Sequence, residues 1–170
     1  MERAIADQLE ALHADAFGWA LHCCGPDHAR AEDVLQNAYL KLAQDRARHD
    51  GSSSFKTWWF GVIRHTAHEE LRRQRYRESL IGKLLVAFSE EPHPAPSRQV
   101  EMDEQAAELR SCLAQLPARQ AEVLHLVFYQ DLTIKEAAEI MRVGIGSARQ
   151  HYERGKARLR TLLQSDSSHD

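Results

Sequence analysis

Residues 113–163 read LAQLPARQAEVLHLVFYQDLTIKEAAEIMRVGIGSARQHYERGKARLRTLL. Thr133–Met141 has the apolar spacing of a short helix, Arg142-Val143-Gly144-Ile145 that of a tight turn, and residues 146–163 that of a longer helix. Thr133 and Ser147 are residue types that cap helix N-termini. A short helix, a turn and a longer helix rich in Arg, Lys, Gln and Ser form a helix-turn-helix pattern. Ala137 and Ala138 keep the first helix slim where the second crosses it, and Val143 and Ile145 are expected to anchor the turn in the core. On the second helix Ala148, Tyr152, Gly155 and Leu159 should point inward. The outward face then carries Ser147, Arg149, Gln150, Glu153, Arg154 and Ala157. Such a face suits DNA, because Arg can chelate a guanine edge, Gln an adenine edge, and Glu can accept from cytosine N4. Lys156, Arg158 and Arg160 are better placed for phosphates, which position a protein without specifying sequence. The plainer alternative is a solvated basic helix of a bundle.

Outward from this stretch the pattern stays helical. Residues 101–115 and 119–129 precede it as helices. Residues 89–97 alternate three prolines with His93 and Ala95 and read as an extended linker. Residues 79–88 are ambiguous. Further back, residues 54–77 open with Phe55, Trp58, Trp59, Phe60, Val62 and Ile63 and then turn arginine-rich, with Trp58 assigned to the core. Residues 27–47 carry an apolar stripe of Ala31, Val34, Leu35, Ala38 and Leu42, and residues 2–24 one of Ile5, Leu9, Leu12, Ala16, Trp19 and Cys23. Gly25-Pro26 separates these two helices, and residues 49–54 form a loop. The expected fold is all-α: two small helical domains at 1–78 and 106–164, a flexible linker at 79–105 and a polar tail at 165–170.

The chain has 170 residues, 22 Lys+Arg against 25 Asp+Glu, with 43% hydrophobic and 28% charged residues. That is globular composition and excludes fibrous and disordered classes. The signs are segregated. Residues 64–77 hold five arginines against two glutamates, and 142–160 hold five arginines and a lysine against one glutamate. Residues 90–108 between them hold five glutamates and an aspartate against one arginine. Local basic patches set the field a phosphate meets, so the chain is a candidate nucleic-acid binder despite its formal charge of −3. The acidic segment is expected to compete for these patches and to weaken DNA binding by the free protein.

No apolar stretch approaches the ~20 residues of a bilayer span, and no secretory signal is visible. Direct membrane insertion is therefore not expected. Three cysteines, Cys23, Cys24 and Cys112, give no disulfide framework, which fits a reducing cytoplasm. His13, His22, Cys23, Cys24 and His28 cluster in sequence. Cys23 and Cys24 point about 100° apart on a helix, so buried thiols and surface histidines are expected rather than a metal or redox site. No cofactor-binding or catalytic motif is present: no G-x-S-x-G, no phosphate loop, no zinc-protease signature.

Residues 113–163 resemble region 4 of bacterial sigma factors of the extracytoplasmic-function (ECF) group. AEDVLQNAYLKL at Ala31–Leu42 is similar to that family's region 2 helix, which docks on RNA polymerase, and FKTWWFGVIRHTAHEELRR at Phe55–Arg73 to its promoter-melting helix. The resemblance covers roughly Ala16 to Leu163 and implies a sigma factor with no catalysis of its own. Its N-terminal domain would bind the β′ clamp helices of core polymerase through Asp33, Gln36, Asn37, Leu40 and Lys41, residues that the helical period also leaves outside the buried stripe. The same domain would capture the −10 element through Ser52, Ser53, Arg64, His65, Glu69, Arg72 and Arg73. A flipped base would enter a pocket lined by residues 51–54, whose amides are expected to be free. The C-terminal domain would engage the β flap and read the −35 element through Ser147, Arg149, Gln150, Glu153, Arg154, Lys156 and Arg158.

The family's usual partner is an anti-sigma factor, often membrane-anchored. The lack of an added domain after Leu163 suggests control in trans. Four positions depart from the family pattern: His65 for Asn, Asn37 for an acidic residue, Gly61 at a commonly basic position, and Arg142 for the turn glycine, whose flexibility Gly144 is expected to supply. The rival reading is a stand-alone helix-turn-helix regulator with an N-terminal sensing or dimerisation domain. It predicts tight binding to a palindromic site without polymerase.

Overall fold

Trp19 is the hub of the N-terminal unit. It is wholly buried, its ring stacks on Phe60 with centroids 6.0 Å apart, and its indole N–H donates to the Phe60 carbonyl at 3.0 Å. A buried tryptophan needs such a partner for its one polar atom. The computed structural model that shows this describes residues 2–25, 27–85 and 111–166. The expected linker at 89–97, residues 101–110 and the end of the tail lie outside the described residues. The chain divides into two units, Met1–Arg98 and Gln99–Asp170, and the described residues are helical with no strand.

In the first unit, α1 (Glu2–Ala11) and α2 (His13–Cys24) are separate helices where the apolar period predicts one. The break falls at Leu12, at φ −95 and ψ 0, with neither Gly nor Pro to announce it. Gly25 then takes φ +72, a conformation glycine adopts without steric cost. Asp27 caps α3 (His28–Ala43) by accepting from the Arg30 amide at 3.0 Å. This helix stops four residues earlier than predicted, because the amides of Arg46 and Ala47 both turn back to the Lys41 carbonyl. Ser54 Oγ accepts from the Thr57 amide at 3.1 Å and opens α4 (Phe55–Leu85), which runs well past the predicted end.

Helices α2, α3 and α4 each pack on the other two around Ala16, Trp19, Ala20, Val34, Leu35, Trp59, Phe60 and Ile63. Trp59, not Trp58, holds the core position. Trp59, Ile63 and Ala67 recur every four residues on the buried face of α4, whereas Trp58 lies 100° away. Trp58 is half-buried against His49 and Phe55, with ring centroids 5.3 Å from each.

In the second unit, residues 111–114 are helical and Pro117 precedes α5 (Ala118–Leu124). The next five residues, His125–Tyr129, widen into a π-helical turn where sequence predicts continuous α-helix. Thr133 and Glu136 form a reciprocal capping box at the start of α6 (Ile134–Met141). Arg142 ends α6 in the left-handed conformation (φ 54, ψ 49), and its amide bonds back to Ala138 and Glu139. The tight turn is thus made by Arg142 itself; Gly144 has no positive φ. Arg119 donates to the otherwise orphaned Met141 carbonyl at 3.2 Å.

Helix α7 (Ile145–Asp166) crosses α5 at Gly155. A Cβ there would sit 3.1 Å from Leu124 Cδ1 and 3.3 Å from Gln120 Cβ. Ala137, Ala138 and Ala148 are buried as the pattern requires. Ile145 is not: it is 47% exposed, because it already belongs to the first turn of α7, one turn below exposed Arg149.

Candidate nucleic-acid and protein interfaces

The outer side of α3 presents Asp33, Gln36 and Leu40 to solvent, with Asn37 half-buried beside them. Leu40 is 53% exposed, an apolar side chain among polar neighbours. Lys41 does not join this face. Its ammonium turns onto α4, donating to Thr66 Oγ1 at 3.0 Å and forming an ion pair with Glu69. The hydrogen bond from Lys41 holds the Glu69 carboxyl below the usual glutamate value against the opposing effect of desolvation.

Glu69 is therefore occupied as well, rather than free for DNA. Its other oxygen lies 3.6 Å from His65 Nε2. Arg64 is 6% exposed and sits on the buried face of α4, one turn after Phe60, so it is no surface contact for a phosphate. His65, Arg72 and Arg73 are exposed, and Arg73 pairs with Glu70 at 3.0 Å. Arg75 and Arg77, with exposed Tyr76 between them, extend the exposed cationic surface beyond the residues singled out from sequence. The signal was available in the same helical period; only the end assigned to the motif concealed it.

The 49–54 loop is more ordered by its own bonds than its composition suggests. Ser52 donates both its amide (2.9 Å) and its hydroxyl (2.6 Å) to Asp50 Oδ1, so that amide is not free. These bonds, the hydroxyl's first, hold the Asp50 carboxyl below its ordinary value. His49 Nε2 bonds the Ser53 carbonyl at 2.8 Å, and Gly51 takes φ +79. Ser52 is exposed and Ser53 half-buried.

In the second unit Ser147, Arg149, Gln150, Glu153, Arg154, Ala157 and Arg158 all lie exposed along α7. Lys156 is half-buried. Its Nζ pairs with Glu153 at 3.2 Å and lies 4.4 Å from the Tyr152 ring centroid, within cation–π range. Exposed Ile145 stands at the N-terminal end of the same face, the end from which a recognition helix reaches base edges.

The histidine–cysteine cluster disperses. A hydrogen bond of 3.0 Å joins His13 Nδ1 to Tyr39 Oη, His22 stacks on Trp19, and His28 packs on Phe17. Cys24 is buried, and desolvation pushes its thiol up to about 11. Among the described residues no three His, Cys, Asp or Glu side chains come together as a metal site. None of the described helices is long and apolar enough to cross a membrane.

Known proteins agree with this geometry in both halves. The family model for sigma-70 region 2 matches residues 9–77 and that for sigma-70 region 4 matches residues 106–159. The chain is 26% identical over 170 residues to the ECF RNA polymerase sigma factor SigX of Bacillus subtilis, covering 96% of this chain and 86% of that protein. It is 28% identical over 141 residues to RfaY of Xanthomonas campestris, described as a probable RNA polymerase sigma factor, covering 81% of this chain but 35% of that longer protein. Its fold is similar to that of the sigma factor RpoE of Bartonella quintana, solved in complex with the anti-sigma factor NepR. The TM-score is 0.70 at 23% identity, over 96% of this chain and 99% of that one. With both sigma-70 regions present in order, and an ECF relative aligned over nearly its whole length, the chain belongs to the ECF group of sigma-70 RNA polymerase sigma factors.

Proposed function

We propose that this chain binds core RNA polymerase and directs promoter-specific initiation, contributing recognition and strand opening while the polymerase performs the chemistry. The observation that carries this reading is the presence in one chain, in order, of a region 2 helix bundle with exposed arginines on α4 and a region 4 helix-turn-helix with Arg149, Gln150, Glu153 and Arg154 exposed on α7. Residues 1–78 serve polymerase and −10 binding, residues 106–164 serve −35 and β-flap binding, and residues 79–105 link them. Asp33, Gln36, Asn37 and Leu40 are the contact surface for the β′ clamp helices. His65, Arg72 and Arg73, with Ser52 and Ser53 on the loop, engage the −10 strand. Ser147, Arg149, Gln150, Glu153 and Arg154 read the −35 duplex, with Lys156 and Arg158 on phosphates.

The work is cytoplasmic, and an anti-sigma factor is the expected regulator. Support for such a partner comes from RpoE, solved with NepR. Run-off transcription with core enzyme and a pool of upstream regions from the host tests the proposal. The expected result is transcripts that depend on this chain and map to asymmetric two-part promoters. No such transcript, or tight binding to a palindrome without polymerase, rejects it in favour of a stand-alone regulator.

A further inference from the structure

Ile145 leads into α7 with a glycine on either side. Gly144, Ile145 and Gly146 are consecutive, and all three are exposed. The fold itself requires neither glycine. Neither has a positive φ, so an ordinary residue can take the same backbone conformation. A Cβ on either would meet nothing within 4 Å. Gly25 and Gly51 differ in the first respect, with φ of +72 and +79, and Gly155 in the second, where a Cβ would press on Leu124. Gly146 also lies in the first turn of α7, where alanine would make the stronger helix. The use that remains for bare backbone at an exposed tip is the close approach of another molecule.

Ile145 is the one side chain at this tip, and it is 47% exposed. Residues 142–152 around it hold two arginines and no carboxylate, and Arg142 and Arg149 are both exposed. The local field therefore favours a polyanion. An apolar side chain also needs an apolar partner there. In the major groove the base edges supply one such group, the 5-methyl of thymine; the other groups they present are hydrogen-bond donors and acceptors.

We propose that Gly144, Ile145 and Gly146 form a tip that enters the major groove of the −35 duplex, with the bare backbone close to the base edges and Ile145 packed on the methyl of one thymine. Ile145 then adds a thymine to a readout otherwise made of hydrogen bonds. This rests on the reading of the second unit as the one that binds the −35 element. The probe is the duplex upstream element of a promoter that yields a transcript in the run-off assay. Each thymine on either strand is replaced in turn by deoxyuridine, which removes the methyl and keeps the base pair. Holoenzymes carrying the wild-type chain, Ile145→Ala and Gly146→Ala are compared.

The expected result is one position at which deoxyuridine lowers wild-type affinity about fourfold, the worth of one buried methyl, and leaves the affinity of Ile145→Ala unchanged. Gly146→Ala should keep or raise the thermal midpoint of the free chain and yet lower affinity for the element about tenfold, because its Cβ fits the protein and not the complex. If the wild type senses the methyl at no position, or Ile145→Ala senses it equally, the thymine contact is overturned. Gly146→Ala with wild-type affinity, or with a lowered thermal midpoint, overturns the close approach. A wild-type holoenzyme that binds the element no better than a scrambled duplex rejects the −35 reading itself.

Discussion

Removing the Lys41 ammonium should loosen the first unit rather than strip a contact from its surface. Lys41→Met keeps the aliphatic stem and deletes the charge that bonds Thr66 and Glu69 across the α3–α4 contact. Both side chains of the ion pair are 26% exposed. Solvent-exposed pairs contribute about 0.2–1 kcal/mol, and hydrogen bonds to charged groups about 1.5–3 kcal/mol when sheltered. A pair at this depth falls between, so the expected loss is about 1 kcal/mol, or a Tm lower by about 4–8 °C for a unit of this size.

All three tryptophans (Trp19, Trp58 and Trp59) lie in the first unit, so tryptophan fluorescence follows its unfolding without interference from the second. The effect has a pH signature. Glu69 is held below the ordinary glutamate value of 4.5, chiefly by the hydrogen bond from Lys41. A carboxyl lowered on folding stabilises the fold above its unfolded value and loses that contribution as pH falls through its folded value. The gap between wild type and Lys41→Met should therefore be full at pH 7 and close below about pH 4.5. An unmoved fluorescence midpoint at pH 7, together with a large loss of polymerase affinity, would refute this account and return Lys41 to the docking face.

Arg142→Gly should stabilise the second unit by about 0.5–1 kcal/mol, because glycine takes the left-handed turn at φ 54 without the Cβ penalty; thermal unfolding followed by circular dichroism measures it. Gly155→Leu should destabilise the same unit by about 3 kcal/mol or prevent its folding, since a single Cβ already meets Leu124 and Gln120; a wild-type midpoint would mean that α5 and α7 can separate at little cost. Cys24, with its thiol near 11 against an ordinary 9.0, should hold about a hundredth of the usual thiolate near neutral pH. Alkylation at pH 7.5 followed by peptide mapping should leave Cys24 unlabelled until the protein is denatured.

The helical period made the face of α7 legible without a structure. Ala148 and Gly155 are buried while Ser147, Arg149, Gln150, Glu153 and Arg154 are exposed, as a rotation of 100° per residue demands. The Thr133–Glu136 capping box is equally local and equally legible. The Leu12 break and the π-helical turn at His125–Tyr129 are not. In both, the apolar spacing runs on unbroken, and no Gly or Pro at the site marks the departure.

Arg64 and Lys41 fail for a different reason. Periodicity gives the direction of a side chain but not how far along its helix the neighbour still covers it. The change from apolar to basic at Ile63-Arg64 suggests that α4 emerges into solvent there, yet Arg64, Thr66 and Ala67 are all buried. Cover therefore lasts at least another turn, and a cation just inside its edge has to find an internal role. Lys41 fills that role from the opposite helix. Its carbon stem starts beside the exposed Leu40 of α3, and its ammonium ends on Glu69, next to His65 of α4. The candidate polymerase surface and the candidate strand surface are thus fixed to each other by this ion pair, as well as by the shared Trp19–Phe60 core. A substitution at Lys41 should then disturb strand capture and polymerase docking together, although Lys41 belongs to neither surface.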